Sequence, residues 1–284
     1  MLVRTLICIS LLILCVAKFC AVAESEYESS TKVKVRRLKF QTSIPLTPSE
    51  RQKLVASLRR VGWKFSQEQT SAFTTNTAEE LAREAYQDKG YFKVDVSAEL
   101  VPIPTKRISA ADLVLQVIPG RQYHLASISW RGMTVFSESE MAKLIPVRAG
   151  ELFNRTKIAS GLEAARKLYD SLGYINFTSI PTPQIDDEAG TVAFVIDIDE
   201  GGQFHFGELE VEGTQEAHRR TLLSAWEGLR GQPYKTEEAD KFFDRFFRSP
   251  LPKITPADYT IRDIDVYNHS VNYLLQLTPS LHYR

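Results

Sequence analysis

Two stretches of this 284-residue chain superimpose on each other at one fixed offset of 81 residues. Arg121-Gln122-Tyr123-His124-Leu125 aligns with Gly202-Gln203-Phe204-His205-Phe206. Ile128-Ser129-Trp130-Arg131-Gly132 aligns with Leu209-Glu210-Val211-Glu212-Gly213, and Gly150-Glu151-Leu152-Phe153 with Gly231-Gln232-Pro233-Tyr234. One offset held through three landmarks is the mark of a duplicated supersecondary unit rather than of a single large core. A more divergent copy precedes them. Gly90-Tyr91 answers Gly173-Tyr174, Val117-Ile118-Pro119-Gly120 answers Ile198-Asp199-Glu200-Gly201, and Gly62-Trp63-Lys64-Phe65 stands where Gly150 to Phe153 stand in the next copy. With its first segment at Val35 to Phe40, this predicts three units, at 33–120, 121–201 and 202–279.

Physical chemistry predicts the content of one unit. In the second, Tyr123, Leu125, Ile128 and Trp130 form a short strand that ends at Gly132, where positive φ is free. Ser137 with Glu140 three residues on is a capping box that opens a short helix through Met141, Leu144 and Ile145, stopped by Pro146 and Gly150. A second helix is expected from Asn154 to Leu172, with Ile158, Leu162, Ala165 and Tyr169 on one buried stripe and Gly173 closing it. Strands at Tyr174 to Ile180 and Thr191 to Ile198 follow, joined by the turn-forming Asp186-Asp187-Glu188-Ala189-Gly190. The first copy repeats the order with Thr47-Pro48-Ser49-Glu50, a capping box with proline at the first helical position. The third repeats it with strands at Tyr259 to Val266 and Val271 to Leu277. The fold class is therefore α+β: three tandem β-α-α-β-β units, each a small mixed three-stranded sheet with two helices on one face.

The N-terminus points to export. Arg4 is followed by an apolar run from Leu6 to Val16 and by Ala21-Val22-Ala23, the pattern of a cleaved signal peptide over residues 1–23. An uncleaved membrane anchor is the competing reading of the same stretch. All three cysteines, Cys8, Cys15 and Cys20, lie in it, so a mature chain has no disulfide and must be held by ordinary packing. Beyond Ala23 there are 33 basic and 35 acidic residues, and that balance excludes a general nucleic-acid binder.

The order β-α-α-β-β, the helix ending in Leu172-Gly173-Tyr174, and the hairpin ending in Asp197-Ile198-Asp199-Glu200-Gly201 before Phe204-x-Phe206-Gly207-x-Leu209 resemble polypeptide-transport-associated (POTRA) domains. The third unit departs from the pattern, with Phe246-Phe247-Arg248-Ser249-Pro250 in place of the Gly-Tyr ending. The resemblance implies a periplasmic or outer-membrane-associated interaction module for outer-membrane protein assembly or polypeptide secretion. Its partners would be a barrel protein or unfolded outer-membrane or secreted polypeptide. In that family such units precede a β-barrel, and only Ser280 to Arg284 follow them here, so the resemblance implies a barrel-less relative, either a free periplasmic module or one that docks on a separate barrel. The rival expectation is an anchored envelope structural or division protein.

A three-stranded sheet leaves an edge that can accept an extended peptide. The strand following Gly-Tyr is the expected edge, which nominates Tyr91, Phe92, Val94 and Val96 in the first unit and Tyr174, Ile175, Phe177 and Thr178 in the second. The bland alternative is that half of these side chains are core beneath the helices. No catalytic residue, cofactor, metal site or small-molecule substrate is expected. The histidines, His124, His205, His218, His269 and His282, form no metalloprotease spacing, and His124 and His205 recur at equivalent repeat positions as structural residues would. Asp186, Asp187, Asp197, Asp199 and Glu200 have the oxygen chemistry of a calcium site without its loop spacing, so a solvated strand end is expected there. The sequons at Asn154, Asn176 and Asn268 are read as capping and pairing residues without sugar.

Overall fold

The computed structural model describes residues 31–32, 34–65, 72–103, 110–247 and 254–279. The expected signal peptide, all three cysteines and the segment from Arg248 to Pro250 lie outside the described residues. The chain divides into two compact bodies at Arg121/Gln122.

In the first body β1 (Thr31–Lys32) pairs with β3 (Lys64–Phe65), while β2 (Lys34–Thr42), β4 (Asp95–Pro102) and β5 (Ala110–Ile118) form a sheet in the order β2-β5-β4. β2 runs parallel to β5 and β4 antiparallel to it. The helices are α1 (Pro48–Leu58) and α2 (Ala72–Gln87). α1 starts at Thr47, which closes the anticipated capping box: Thr47 N–H donates to Glu50 at 2.8 Å and Glu50 N–H to the Thr47 hydroxyl at 3.4 Å. Leu54 and Leu58 of α1 and Ala78, Ala82 and Tyr86 of α2 are buried with Leu113, Leu115 and Val117 of β5. β5 is the central strand, and its Ala110, Ala111, Leu113, Leu115 and Val117 are buried.

The second body repeats this arrangement twice. β6 (His124–Arg131), α3 (Glu138–Ala142), α4 (Arg155–Asp170), β7 (Thr178–Asp186) and β8 (Thr191–Asp199) give a sheet of order β6-β8-β7. β9 (His205–Glu212), α5 (Glu216–Trp226), α6 (Thr236–Phe247), β10 (Ile254–Asp265) and β11 (Ser270–Pro279) give β10-β11-β9. In both, the first strand is parallel to the last and the middle one antiparallel. The α+β order β-α-α-β-β is thus present three times.

The offset of 81 reappears in the hydrogen bonds. Phe153 N–H donates to Tyr123 O as Tyr234 N–H does to Phe204 O, Leu125 N–H to Glu151 O as Phe206 N–H does to Gln232 O, and Gly150 N–H to Leu125 O as Gly231 N–H does to Phe206 O. The strand-ending glycines also correspond. Gly132 and Gly213 hold φ of 82° and 73°, and a Cβ on either would fall on a backbone oxygen of the sheet's last strand, Ile198 or Leu277. Glycine is required there for backbone conformation and for space.

Two details of the sequence reading are corrected. The buried stripe of α4 is Ile158, Gly161, Ala165 and Tyr169, with Gly161 in the place expected for Leu162. Ile145 presses so close to Gly161 that no side chain fits between them. The strands after Gly90-Tyr91 and Gly173-Tyr174 also start four residues later than the tyrosines, at Asp95 and Thr178.

Candidate functional site

Each sheet offers two edges, and the edge carrying the nominated residues begins with a turn. After α2, Tyr91 N–H donates to Tyr86 O and Val94 N–H to Tyr91 O; after α4, Tyr174 N–H donates to Tyr169 O and Phe177 N–H to Tyr174 O. This turn folds apolar residues back under their own helix. Tyr91, Val94 and Val96 are 7, 5 and 4% exposed, and Phe177 is 6% exposed with its ring stacked on Tyr169 at 4.3 Å. Tyr91 and Tyr174 meet Tyr86 and Tyr169 edge-on at 6.1 and 5.8 Å. Phe92 is half-buried. Of the eight nominated residues only Val96 and Thr178 lie in the edge strands, and only the Thr178 side chain is exposed. Most of the nominated side chains therefore take the alternative expected for them, core beneath the helices, because a turn that hydrophobic pattern does not reveal precedes each edge strand.

Ile175 has a different role. It packs against the core of the third sheet, beside Leu223 and Leu229. Around it, Phe204 N–H donates to Gly173 O at 2.8 Å and the Gln203 side-chain amide to Leu172 O at 2.9 Å. The Gly173-Tyr174-Ile175 turn is therefore the joint that fastens the second sheet's unit to the third.

The backbone of the edges decides what they can accept. Along β4, Ile103 N–H continues the ladder to Ala110 O, so the odd-numbered residues face β5 and Val96, Ala98 and Leu100 turn their N–H groups outward. Ala98 N–H is already taken by the Glu79 carboxylate of α2 at 2.9 Å. Along β7, Pro181 and Pro183 sit in an unbroken ladder with β8, which requires positions whose missing N–H would point outward. Two donors are thereby deleted from this edge. β10 carries two register shifts, between Pro256 and Asp258 and between Ile261 and Asp263. Prolines, bulges and an intruding carboxylate are the usual means of blunting an edge strand. β4 is blunted as well, at Ala98 and at Pro102, whose missing N–H also points outward, and it keeps the outward N–H groups of Val96 and Leu100.

Four of the five acids in the cluster, Asp186, Asp187, Asp199 and Glu200, are engaged internally. The Glu200 carboxylate, in a residue 9% exposed, accepts from Thr134 N–H at 2.8 Å, Val135 N–H at 2.9 Å, the Tyr169 hydroxyl at 2.6 Å and the Thr134 hydroxyl. Burial alone would raise its pKa, but these bonds outweigh it and hold the carboxyl at about 2. Asp187 accepts from Tyr123 Oη at 2.5 Å, Asp186 from Ala189 N–H and Asp199 from Gly201 N–H. Among the described residues no group of three or more His, Cys, Asp or Glu is placed to hold a metal. His124 and His205 each open a first strand, bridging to Leu152 and Pro233 at the same repeat offset.

A tandem array of small mixed three-stranded sheets, each with two helices, defines a class of modular repeat proteins. Residues 123–201 match the POTRA family, described as a surface antigen variable number repeat. Over 150 residues the chain is 22% identical to the outer membrane protein assembly factor BamA of Neisseria meningitidis, covering 49% of this chain and 18% of that protein. BamA of Buchnera aphidicola is 22% identical over 152 residues, covering 54% of this chain and 24% of that protein. The chain thus spans a quarter or less of these relatives' length. The crystal structure of POTRA3-5 of Haemophilus influenzae BamA has the same fold at 20% identity, with a TM-score of 0.58 and coverage of 88% of this chain and 98% of that one. Residues 123–201 thus match a POTRA repeat by sequence, and the chain as a whole shares the fold of a run of three such domains.

Proposed function

We propose that this chain is a periplasmic interaction module in outer-membrane protein assembly or polypeptide secretion, binding unfolded client or partner polypeptide by addition of a strand to a sheet edge. The observation that carries the reading is the edge of β4, where Val96 and Leu100 present outward N–H groups. The assembly-factor relatives and the export pattern of residues 1–23 support the compartment. Backbone pairing gives affinity whatever the client's sequence, which suits a protein that handles many unfolded chains. The partner is an outer-membrane barrel protein or a polypeptide on its way to the membrane.

The test is photocrosslinking in the cell envelope from Ser97, an exposed β4 position, with Gln184 on the proline-blunted β7 as comparison. Outer-membrane or secreted polypeptide is captured from Ser97 and much less from Gln184. Capture of nothing but the chain itself from Ser97 overturns the proposal.

A further inference from the structure

The first and second sheets differ at the start of their first helix, and the difference opens a site. In the second, the residue before the N-cap, Phe136, and the fourth helical residue, Met141, occupy the two positions of a hydrophobic staple. Met141 is fully buried, and Phe136 meets Tyr169 edge-on at 4.9 Å. In the first, Leu46 keeps the position before the N-cap, but the fourth helical residue is Arg51. Its guanidinium lies over the Phe40 ring at 5.3 Å instead of filling the core. What is left is a pocket of about 470 Å³ whose lining is apolar at Leu38, Phe40, Pro45, Leu46 and Tyr86 and polar at Lys39, Thr42 and Arg51. That volume is in the range of pockets that enclose a ligand group.

Two cations, Lys39 and Arg51, line the pocket, and the segment that carries most of the lining is strongly basic in sequence. Although the whole chain has 35 basic and 35 acidic residues, residues 31–60 contain nine basic residues and one acidic. The one acid, Glu50, is engaged by Thr47 N–H and by Lys89 at 3.0 Å. Among the described residues no carboxylate pairs with Lys34, Arg36, Arg37, Arg51, Lys53 or Arg59, whereas Lys39 pairs with Asp112 at 3.1 Å. β2 is also an edge strand, so extended chain can lie along it.

We infer that this pocket, bordered by Arg51 on a strongly basic segment, forms a docking site for an acidic, extended polypeptide segment: one large apolar side chain enters the pocket while a neighbouring carboxylate pairs with Arg51. An anionic bilayer fits less well, because α1 buries its apolar residues Leu54 and Leu58 in the core and presents no apolar face to lipid. The site lies apart from the β4 edge and does not depend on strand addition there.

The experiment uses the full mature chain and a fluorescent peptide with one Phe flanked by Asp residues. Control probes are the same peptide with Ala for Phe, and vesicles of phosphatidylglycerol. Binding of the Phe peptide is expected to weaken at least roughly tenfold in Arg51→Met, which installs the residue found at the equivalent site of the second unit, and also with Ala for Phe. Arg51→Gln removes the charge without restoring the staple and weakens binding as well; circular dichroism confirms that both variants fold. Equal binding of the Phe and Ala peptides reduces the site to a diffuse positive field and overturns the inference. Binding to vesicles but not to peptide overturns it too, by assigning the surface to the membrane.

Discussion

At the scale of single residues the second unit is held by a buried carboxylate. Glu200 ties the loop after β6 to α4 through Thr134, Val135 and Tyr169, and the same carboxylate and burial push the Tyr169 hydroxyl's pKa up. Its folded pKa, about 2, lies below the reference 4.5, so its stabilisation is complete above 4.5 and is lost as pH falls from there toward about 2. The loss across that window is on the order of 3 kcal/mol. Urea melts should show this acid decline, and Glu200→Gln should flatten it while lowering stability at neutral pH. The first unit has Pro119 at the matching repeat position, and there Tyr86 donates instead to Ile44 O at 2.8 Å. The acid sensitivity therefore belongs to the second unit.

At the scale of elements, both edge strands are blunted, β4 by Glu79 and Pro102 and β7 by two prolines. β7 is long and solvent-facing, with Ile180 64% and Ile185 40% exposed, and would be an aggregation hazard without its prolines. Replacing Pro181 and Pro183 together by Val restores two outward donors. The double variant should self-associate with rising concentration in sedimentation velocity, while the parent stays at its original size. An unchanged sedimentation profile would remove the protective role from these prolines. β4, with Glu79 on Ala98 N–H and a proline at its outward position 102, keeps the outward N–H groups of Val96 and Leu100.

At the scale of the molecule, the joint within the second body governs how far its two sheets move as one piece. Gly173 combines φ of 91° with a position where a Cβ would strike Phe204 O, so Gly173→Ala must displace the Phe204 N–H to Gly173 O bond. A destabilisation of about 2 kcal/mol is expected from the backbone strain. Hydrogen exchange should locate it: Phe204 loses protection while β8, in the middle of its own sheet, keeps it. Equal loss at both would mean that the joint and the sheet open together.

The repeat, its α+β content and the two capping boxes were legible from residue order, because an 81-residue offset, glycines at strand ends and Thr47/Glu50 and Ser137/Glu140 spacings are local signals that need no partner. The interaction surfaces were not. Tyr91 and Tyr174 read as strand residues, yet a turn set by the preceding helix turns the chain back, so that the tyrosines meet that helix and Ile175 meets the next core. Whether an N–H points at a neighbour or at solvent depends on pairing register, as at Ala98 and the two prolines, and register is a relation between strands distant in sequence. The same holds for Arg51, an ordinary helix residue until the core it fails to fill is assembled around Tyr86. Local pattern determined the units; packing between segments far apart in the chain decided which of their faces stayed open.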